Sequence, residues 1–405
     1  MTDHTVRELR PEENRAAADL FRATLHVADL TDGEWALARG CFQPGRTLGA
    51  FDSELIGTAR SFDAELTVPG DRKVPMAAVT GVGVRPDRTR RGVLSALMRA
   101  QFEDFTARGM AVSSLRASEG AIYGRFGYGV ATLAKNCSVD RRRARFRPEI
   151  PDGGEVTVIK LDEAVGRWPE LYDAVTPPRD ARPGLMNRPP YSWVAYEADA
   201  RRAKEPVVTV VHREAEGVTG VAVYRVERPA PRETATLDVT HFRHTSPAAF
   251  AGLWRYLMSV DLVDTITAGV RPLDEPVELL FTDPRQCRVT GTMDETWLRL
   301  VDVDVALDGR EYGEYDGPPI VLDVVDPLLE RNSGRYRVSA DGSLRTGEPA
   351  DLRLGVDTLA MLYLGAWRAS ALAAVGRIEA RDPRVLDRAD ALFGTRRAAW
   401  CGTFF

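Results

Sequence analysis

The densest chemistry in the sequence lies between Val79 and Tyr128. Arg90, Arg91 and Gly92 directly precede apolar residues at Val93, Leu94, Leu97, Met98, Phe102 and Phe105, the spacing of one face of an α-helix. A helix N-terminus offers unsatisfied N–H groups and the positive end of the helix dipole, so an anion is favoured there. Gly92 lets such an anion approach the backbone, and the two arginines add charge. Upstream, the strand-like run Met76 to Val84 alternates Gly81 and Gly83 with Val82 and Val84, and glycine within a strand marks a bulge or a close approach. Downstream, Met110 to Leu115 reads as a second strand that enters SEGAIYGRFGYG, a tight loop with two phenols, Tyr123 and Tyr128. A phenol with a reference pKa of about 10 stays protonated at neutral pH and can donate a proton. Strand, basic turn, helix and strand together read as a pyrophosphate-binding unit whose ligand lies beyond the carboxyl ends of the strands.

The bulk of the chain bounds the possibilities. Its 405 residues predict two or three domains. With 44% apolar residues, 28% charged residues and a net charge of -5, the chain lacks the basic surface a nucleic-acid binder needs. Cys41, Cys137, Cys287 and Cys401 stand far apart without a C-x-x-C pair, which predicts reduced thiols and a cytoplasmic setting. The start, MTDHTVRELRPEENR, has no apolar core, and no run approaches the ~18 apolar residues of a membrane span. The expectation is a soluble cytoplasmic protein with no membrane partner.

The surrounding elements predict an α+β protein with domains over 1–150, 151–295 and 296–405. In the first, VREL forms a strand, Pro11 opens a helix over Ala16 to Phe21, residues 26–41 form a mixed stretch, and TLGAFDSELIGTARSF forms a hairpin. DRRRARFR at 140–147, followed by PEIPDGG, reads as a solvated linker. The middle domain reads as a strand at Val156–Leu161, a helix at Asp162–Ala174, and strands at Pro206–His212, Gly220–Val226 and Thr236–His241. A helix capped by Ser246 with Pro247 at its first position follows, then strands at Thr265–Ala268 and Val277–Phe281. This repeats the first domain's layout without an Arg-Arg-Gly turn. His241 and His244 have HxxH spacing but no acidic motif beside them, so they read as loop histidines and no metal is expected. In the last domain TWLRLVDVDVALDGR, PIVLDVVD and GRYRVSADGSLRTG alternate as half-buried strands. DTLAMLYLGAWRASALAAVGRIEA is helical with a break near Gly365, and Arg384 to Phe393 is a further helix. The chain ends in WCGTFF, whose aromatics predict an anchored terminus rather than a frayed one.

VGVRPDRTRRGVLSAL resembles motif A of the GNAT-type N-acetyltransferases, whose turn binds the coenzyme A pyrophosphate, although Thr89 and Leu94 depart from its usual residues. VRPDRTRRGVL, LRASEGAIYGRFGYG, SVDRRRARF and LYLGAWRAS more narrowly resemble the Eis (enhanced intracellular survival) acetyltransferases of actinobacteria. That resemblance implies two GNAT-like α/β domains, the second degenerate, followed by a sterol-carrier-protein-like α+β domain. It implies acetyl-CoA contacts from Val82, Gly83 and Val84, phosphate contacts from Arg90, Arg91, Gly92, Val93, Leu94 and Ser95, and further contacts from Ser118 and Glu119. It implies Tyr123 as general acid and the terminal carboxylate of Phe405 as general base. A terminal carboxylate has a reference pKa of about 3.5, and burial beside Phe404 and Trp400 is expected to raise it.

The resemblance also bears on the acceptor. Family members that acetylate aminoglycosides carry one acidic residue just before the terminal Phe and another near an N-terminal Trp. Here the first place holds Phe404, Asp29, Asp32 and Glu34 lie ahead of Trp35 without matching the second by position, and Arg116 replaces the family's His. Trp35, Arg116 and Phe404 are the implied acceptor-site residues, and these departures point to a more apolar amine or to weak activity on aminoglycosides. The implied activity is acetyl-CoA-dependent N-acetylation of a small-molecule primary amine, aminoglycoside-like or other, or of a lysine side chain, by a homohexamer. The competing readings are a lipid binder and an acetyl-CoA sensor with a non-catalytic GNAT domain.

Overall fold

The computed structural model describes residues 4–176, 181–228, 233–315 and 317–405. The chain forms two compact units: Met1–Thr132 with Arg182–Ala198 and Asp294–Phe405, and Leu133–Ala181 with Asp199–Met293.

In the larger unit, β1 (Thr5–Glu8), β2 (Thr47–Phe51), β3 (Leu55–Val68) and β4 (Arg72–Val84) pair antiparallel in sequence order. β5 (Val112–Leu115) lies parallel to β4, and Trp297–Leu300 of the strand Cys287–Leu300 pairs antiparallel with β5. The helices of this part are α1 (Asn14–Thr24), α2 (Asp32–Ala38), α3 (Val93–Ala107) and α4 (Gly120–Tyr123), and α3 is the crossover between β4 and β5. α3 forms where the apolar stripe predicts it, burying Val93, Leu97, Met98, Phe102 and Phe105 while Leu94 lies half-buried at the edge. Gly109, at φ +69°, ends it in the left-handed conformation that only glycine adopts cheaply. α2 lies inside the stretch expected to be mixed; Thr31 and Glu34 cap it reciprocally, a signal present in the sequence.

The C-terminal part of this unit has a five-stranded sheet, in the order Gly342–Arg345, Gly334–Ser339, Ile320–Val325, Leu352–Gly355 and Ile378–Ala380. It packs with helices Val303–Gly309, Val356–Tyr363, Ala369–Ala374 and Arg384–Phe393. The break expected near Gly365 is present, with Gly365 at φ +78°. VDVALDG is a helix rather than the tail of a strand: Asp302 accepts from Val305 N and caps it, and Val303, Ala306 and Leu307 form its buried face. One apolar core runs through both parts, from Phe62, Leu66 and Met76 to Leu322, Leu359 and Phe393. Leu359 and Leu362 are fully enclosed, and truncating such residues to Ala costs ~2–5 kcal/mol. Arg299 donates to Asp326 at 2.6 Å, both fully buried, and Asn332 donates to the same carboxylate at 2.8 Å. Removing one partner of such a pair costs ~3–5 kcal/mol, because a charge is stranded.

The smaller unit is a sheet in the order Gly129–Asp140, Thr265–Pro272, Thr236–His244, Gly217–Glu227, Val208–Glu214 and Val156–Ile159, the first strand entering it from Leu133. Thr236–His244 and Thr265–Pro272 are parallel, joined by helix Pro247–Ser259, so a second strand–helix–strand crossover is built here. The expected cap is formed: Ser246 Oγ accepts from Ala249 N at 3.0 Å. Three details differ from expectation. Val277–Leu280 is a 3₁₀ turn, and of the expected strand only Phe281 makes a strand-like bridge, antiparallel to Phe146. His241 and His244 lie on a strand, paired opposite Val223 and Gly220, not on a loop. DRRRARFR is a packed turn: Arg141 Nε donates to Met258 O at 2.9 Å, Arg142 pairs with Asp264, and Ala144 is buried.

Among the described residues no helix is long and apolar enough to cross a membrane, and no group of three or more His, Cys, Asp or Glu is placed to hold a metal ion. The four cysteines are buried thiols.

Candidate active site

The site begins where β4 outruns β5. Their parallel pairing ends at Val79 opposite Leu115, after which Thr80–Val84 continue paired to β3 while the other chain leaves the sheet as Arg116. Within that overhang Thr58 faces Gly83 but Arg60 faces Thr80, so Gly81 and Val82 together oppose Ala59. This is a β-bulge, with Gly81 at φ +60°, and it leaves backbone groups unpaired on a bent strand. Gly83 is glycine for a different reason. A Cβ there would come within 2.9 Å of Thr24 Oγ1 and 3.3 Å of Phe21 Cα, so α1 packs directly on the strand. Val82 and Val84 are half-buried along the same overhang.

The chain then turns through Pro86–Arg88 into α3. Four arginines line this stretch and divide by partner. Arg85 pairs with Glu54 and Asp87, and Arg88 with Asp52 and Asp87. Among the described residues no carboxylate pairs Arg90 or Arg91, and both are exposed. Arg90 holds φ +60° and Gly92, the N-cap of α3, holds φ +82° with no side chain capping the helix. A left-handed non-glycine residue stores about 1–2 kcal/mol. The result is a helix N-terminus with its first amides open, flanked by two unneutralised cations. Val93 is buried, and Leu94 and Ser95 are half-buried, in the first turn. This donor set favours an anion.

Beyond β5 the loop carries Ser118 and Glu119, both exposed, and Glu119 is the N-cap of α4. Tyr123 ends α4, 6% exposed, its ring edge-on to Tyr128 at 5.9 Å. Burial, and secondarily the charge of Glu119, push its phenol up to about 12. Its hydroxyl makes no protein hydrogen bond among the described residues. Tyr128 differs: it is fully buried, and its hydroxyl shares a 2.6 Å hydrogen bond with Ser113 Oγ.

The C-terminal tail enters the same unit. Trp400, Cys401 and Thr403 are buried, and the Phe405 ring packs edge-on against Phe62 of β3 at 6.1 Å. Phe404 does not bury the terminal carboxylate as expected. Its ring is 71% exposed and lies under the Arg116 guanidinium at 5.1 Å. The ring of the last residue is held instead by Phe62, an aromatic contact that spans most of the sequence. Arg116 Nη1 also donates to Thr403 O at 3.2 Å, so the tail docks directly at the carboxyl end of β5.

Trp35 sits on α2, edge-on to Phe42 at 5.6 Å, with Arg60 over that Phe42 ring. Of the acidic residues ahead of it, Asp32 pairs with Arg15 at 2.7 Å and Glu34 caps α2. Asp29 remains exposed, and with Asp19, Leu20, Ala23 and Arg85 it lines a cleft of about 330 Å³. Sequence reasoning missed Glu295, Arg188 and Tyr196, which grip the tail from positions more than 100 residues away.

The chain is similar to known proteins over nearly its whole length. The acetyltransferase (GNAT) domain family matches residues 5–131 and again, through a second family of that description, 184–300, and the sterol carrier protein domain family matches 303–402. An uncharacterized N-acetyltransferase of Streptomyces coelicolor is 35% identical over 97% of this chain and 98% of its own length. N-acetyltransferase Eis of Mycobacterium tuberculosis is 35% identical over 85% of this chain and 84% of its own. The crystal structure of Eis1 from Mycobacterium abscessus superposes with a TM-score of 0.89 at 38% identity, covering 99% of this chain and all of that one. With two GNAT domains, a sterol-carrier-protein domain and this near full-length similarity, the chain belongs to the Eis family of N-acetyltransferases.

Proposed function

We propose that the larger unit transfers an acetyl group from acetyl-CoA to a primary amine, with Tyr123 and the Phe405 carboxylate handling the protons. The observation that carries this is the uncapped α3 N-terminus, with Arg90, Arg91 and Gly92 beside the bulged overhang of β4. Acetyl-CoA would supply the thioester. Arg90, Arg91 and the first amides of α3 would hold its pyrophosphate, with Ser118 and Glu119 beyond β5 adding contacts. Backbone amides along the bulged overhang at Val82–Val84 would orient the thioester carbonyl. Holding amine and thioester together accounts for a large share of the rate, up to ~7–11 kcal/mol in well-oriented cases.

The reaction forms a C–N bond to the acetyl carbon and breaks its C–S bond. The Phe405 carboxylate takes the proton lost by the amine, and Tyr123 Oη donates toward the departing sulfur. At about 12, Tyr123 is fully protonated at neutral pH but holds its proton tightly. Complete transfer to a thiolate of reference pKa about 8.5 runs uphill, so Tyr123 contributes chiefly as a hydrogen-bond donor to the developing negative charge.

The acceptor reading follows from the tail. The exposed Phe404 ring and the Arg116 guanidinium occupy the place where an acid would attract a polycation. An amine with an apolar body fits better than an aminoglycoside, and acetylation rates over a panel of amines test this. The lipid-binding alternative gains no support from the C-terminal part. Its interior is filled by packed side chains and by the buried Arg310, which donates to the carbonyls of Tyr363, Leu392 and Phe393. A homohexamer in the cytoplasm completes the proposal, and light scattering measures the assembly.

The deciding experiment extends the chain by one glycine after Phe405. Turnover is expected to fall by about 10²-fold or more, with acetyl-CoA affinity unchanged. Undiminished turnover would remove the carboxylate from the mechanism.

A further inference from the structure

The terminal WCGTFF segment is gripped at every residue from Cys401 to Phe404, and the centre of the grip is a carboxylate. The Glu295 side chain is wholly enclosed. Its Oε1 accepts from Gly402 N at 2.6 Å and its Oε2 from Cys401 N at 3.0 Å, while Arg116 Nη1 stands 3.5 Å from Oε1. Arg116 in turn donates to Thr403 O at 3.2 Å. Arg188 donates to Gly402 O and to Thr403 Oγ1, each at 3.2 Å. Tyr196 Oη accepts from Phe404 N at 2.8 Å and donates to Phe404 O at 3.1 Å. Gly402 makes the necessary kink at φ +60°, where a Cβ would collide with the Trp400 ring at 2.2 Å.

The pattern of partners changes at the last residue. Phe405 is fixed by its ring against Phe62, and among the described residues no cation or hydrogen-bond donor takes its carboxylate. Two arginines lie on the adjacent backbone, yet both are committed elsewhere. Arg188 is spent on carbonyl and hydroxyl oxygens and on the rings of Trp193 and Tyr196. Arg116 is spent on Thr403 O, the Phe404 ring and Glu295. A carboxylate meant to accept a proton must be held in place without being neutralised, since a guanidinium partner would favour its charged form and weaken it as a base.

We infer that Glu295 is a positioning residue for the reaction: it anchors the tail by two backbone amides and keeps Arg116 paired, so that the Phe405 carboxylate is placed but left unpaired. The inference rests on the reading of that carboxylate as base, and two readouts separate them. Glu295→Gln keeps the shape but loses the charge and one of the two acceptors. The first readout is release of Phe405 by an added carboxypeptidase, followed by mass spectrometry, which reports the grip whatever the tail does in catalysis. Cleavage of a transiently opened segment follows the population of the open form, so release should quicken about ten-fold or more. The second is steady-state kinetics: kcat should fall about ten-fold or more while the KM for acetyl-CoA stays within about two-fold, since an interaction outside the cofactor seat is lost. Glu295→Asp, which restores the charge on a shorter stem, should recover part of both, and it serves in place of Glu295→Gln if that variant does not fold. Release at the unaltered rate in both variants would overturn the role of Glu295. Faster release with an unchanged kcat would leave the grip standing and sink the base.

Discussion

The chain builds the same local construction twice, a strand, a helix and a parallel strand, and finishes the two helix N-termini in opposite ways. α3 starts at a left-handed Gly92 with no side chain on its amides and, before it, two arginines without a carboxylate partner among the described residues. Helix Pro247–Ser259 starts at Ser246, whose Oγ takes the amide of Ala249, and its first residue is a proline without an N–H. One end is open to an anion and the other is closed by its own sequence. Sharing the GNAT fold therefore does not imply sharing an anion-ready helix terminus. The difference lies in a few residues at a turn, not in the sheets or the helices behind them.

That contrast can be broken at several points. The largest expected effect is at the residue with no counterpart role in the smaller unit: Tyr123→Phe should lower kcat by ~10²-fold or more while leaving acetyl-CoA affinity unchanged. In the parent enzyme the donor must be protonated, and its group lies at about 12. It is thus about nine-tenths protonated even at pH 11, and activity should show no marked alkaline fall from this group below that pH. An alkaline limb near pH 9 that vanishes in the Phe variant would contradict the buried, raised phenol. Next comes Gly92→Ala, which puts a Cβ at φ +82°. The strain of about 1–2 kcal/mol should weaken acetyl-CoA about ten-fold, measured by calorimetry. Smallest is Ser246→Ala: loss of the cap should cost about 1 kcal/mol of stability in chemical denaturation, with acetylation unaffected. A drop in acetylation there would mean that the second helix terminus takes part after all.

How much of this the sequence announced follows the range of the interactions. α3, the Ser246–Pro247 cap and helix Arg384–Phe393 were readable because each is specified within a few residues, by an apolar stripe or a capping side chain. VDVALDG misled because Val303, Val305 and Leu307 alternate as a strand would, while Val303, Ala306 and Leu307 also share a helix face, and Asp302 decides by capping. Helix Pro190–Arg202 went unread although a proline opens it and Tyr191, Val194, Ala195 and Ala198 follow at helical spacing. The distinct conduct of Gly81 and Gly83 was beyond any local reading: one serves a bulge, the other the packing of α1. The tail's grip was equally illegible, since Glu295 meets Gly402 across 107 positions and nothing near either residue points to the other. Nor does composition reveal that Phe62 and Leu359 belong to one core.

The most direct test of the contrast is a calorimetric titration of the intact protein with acetyl-CoA, repeated for Gly92→Ala and Ser246→Ala. One site per chain is predicted, weakened by the change at Gly92 and untouched by the change at Ser246. Two sites per chain, or a single site weakened by Ser246→Ala and indifferent to Gly92→Ala, would contradict it.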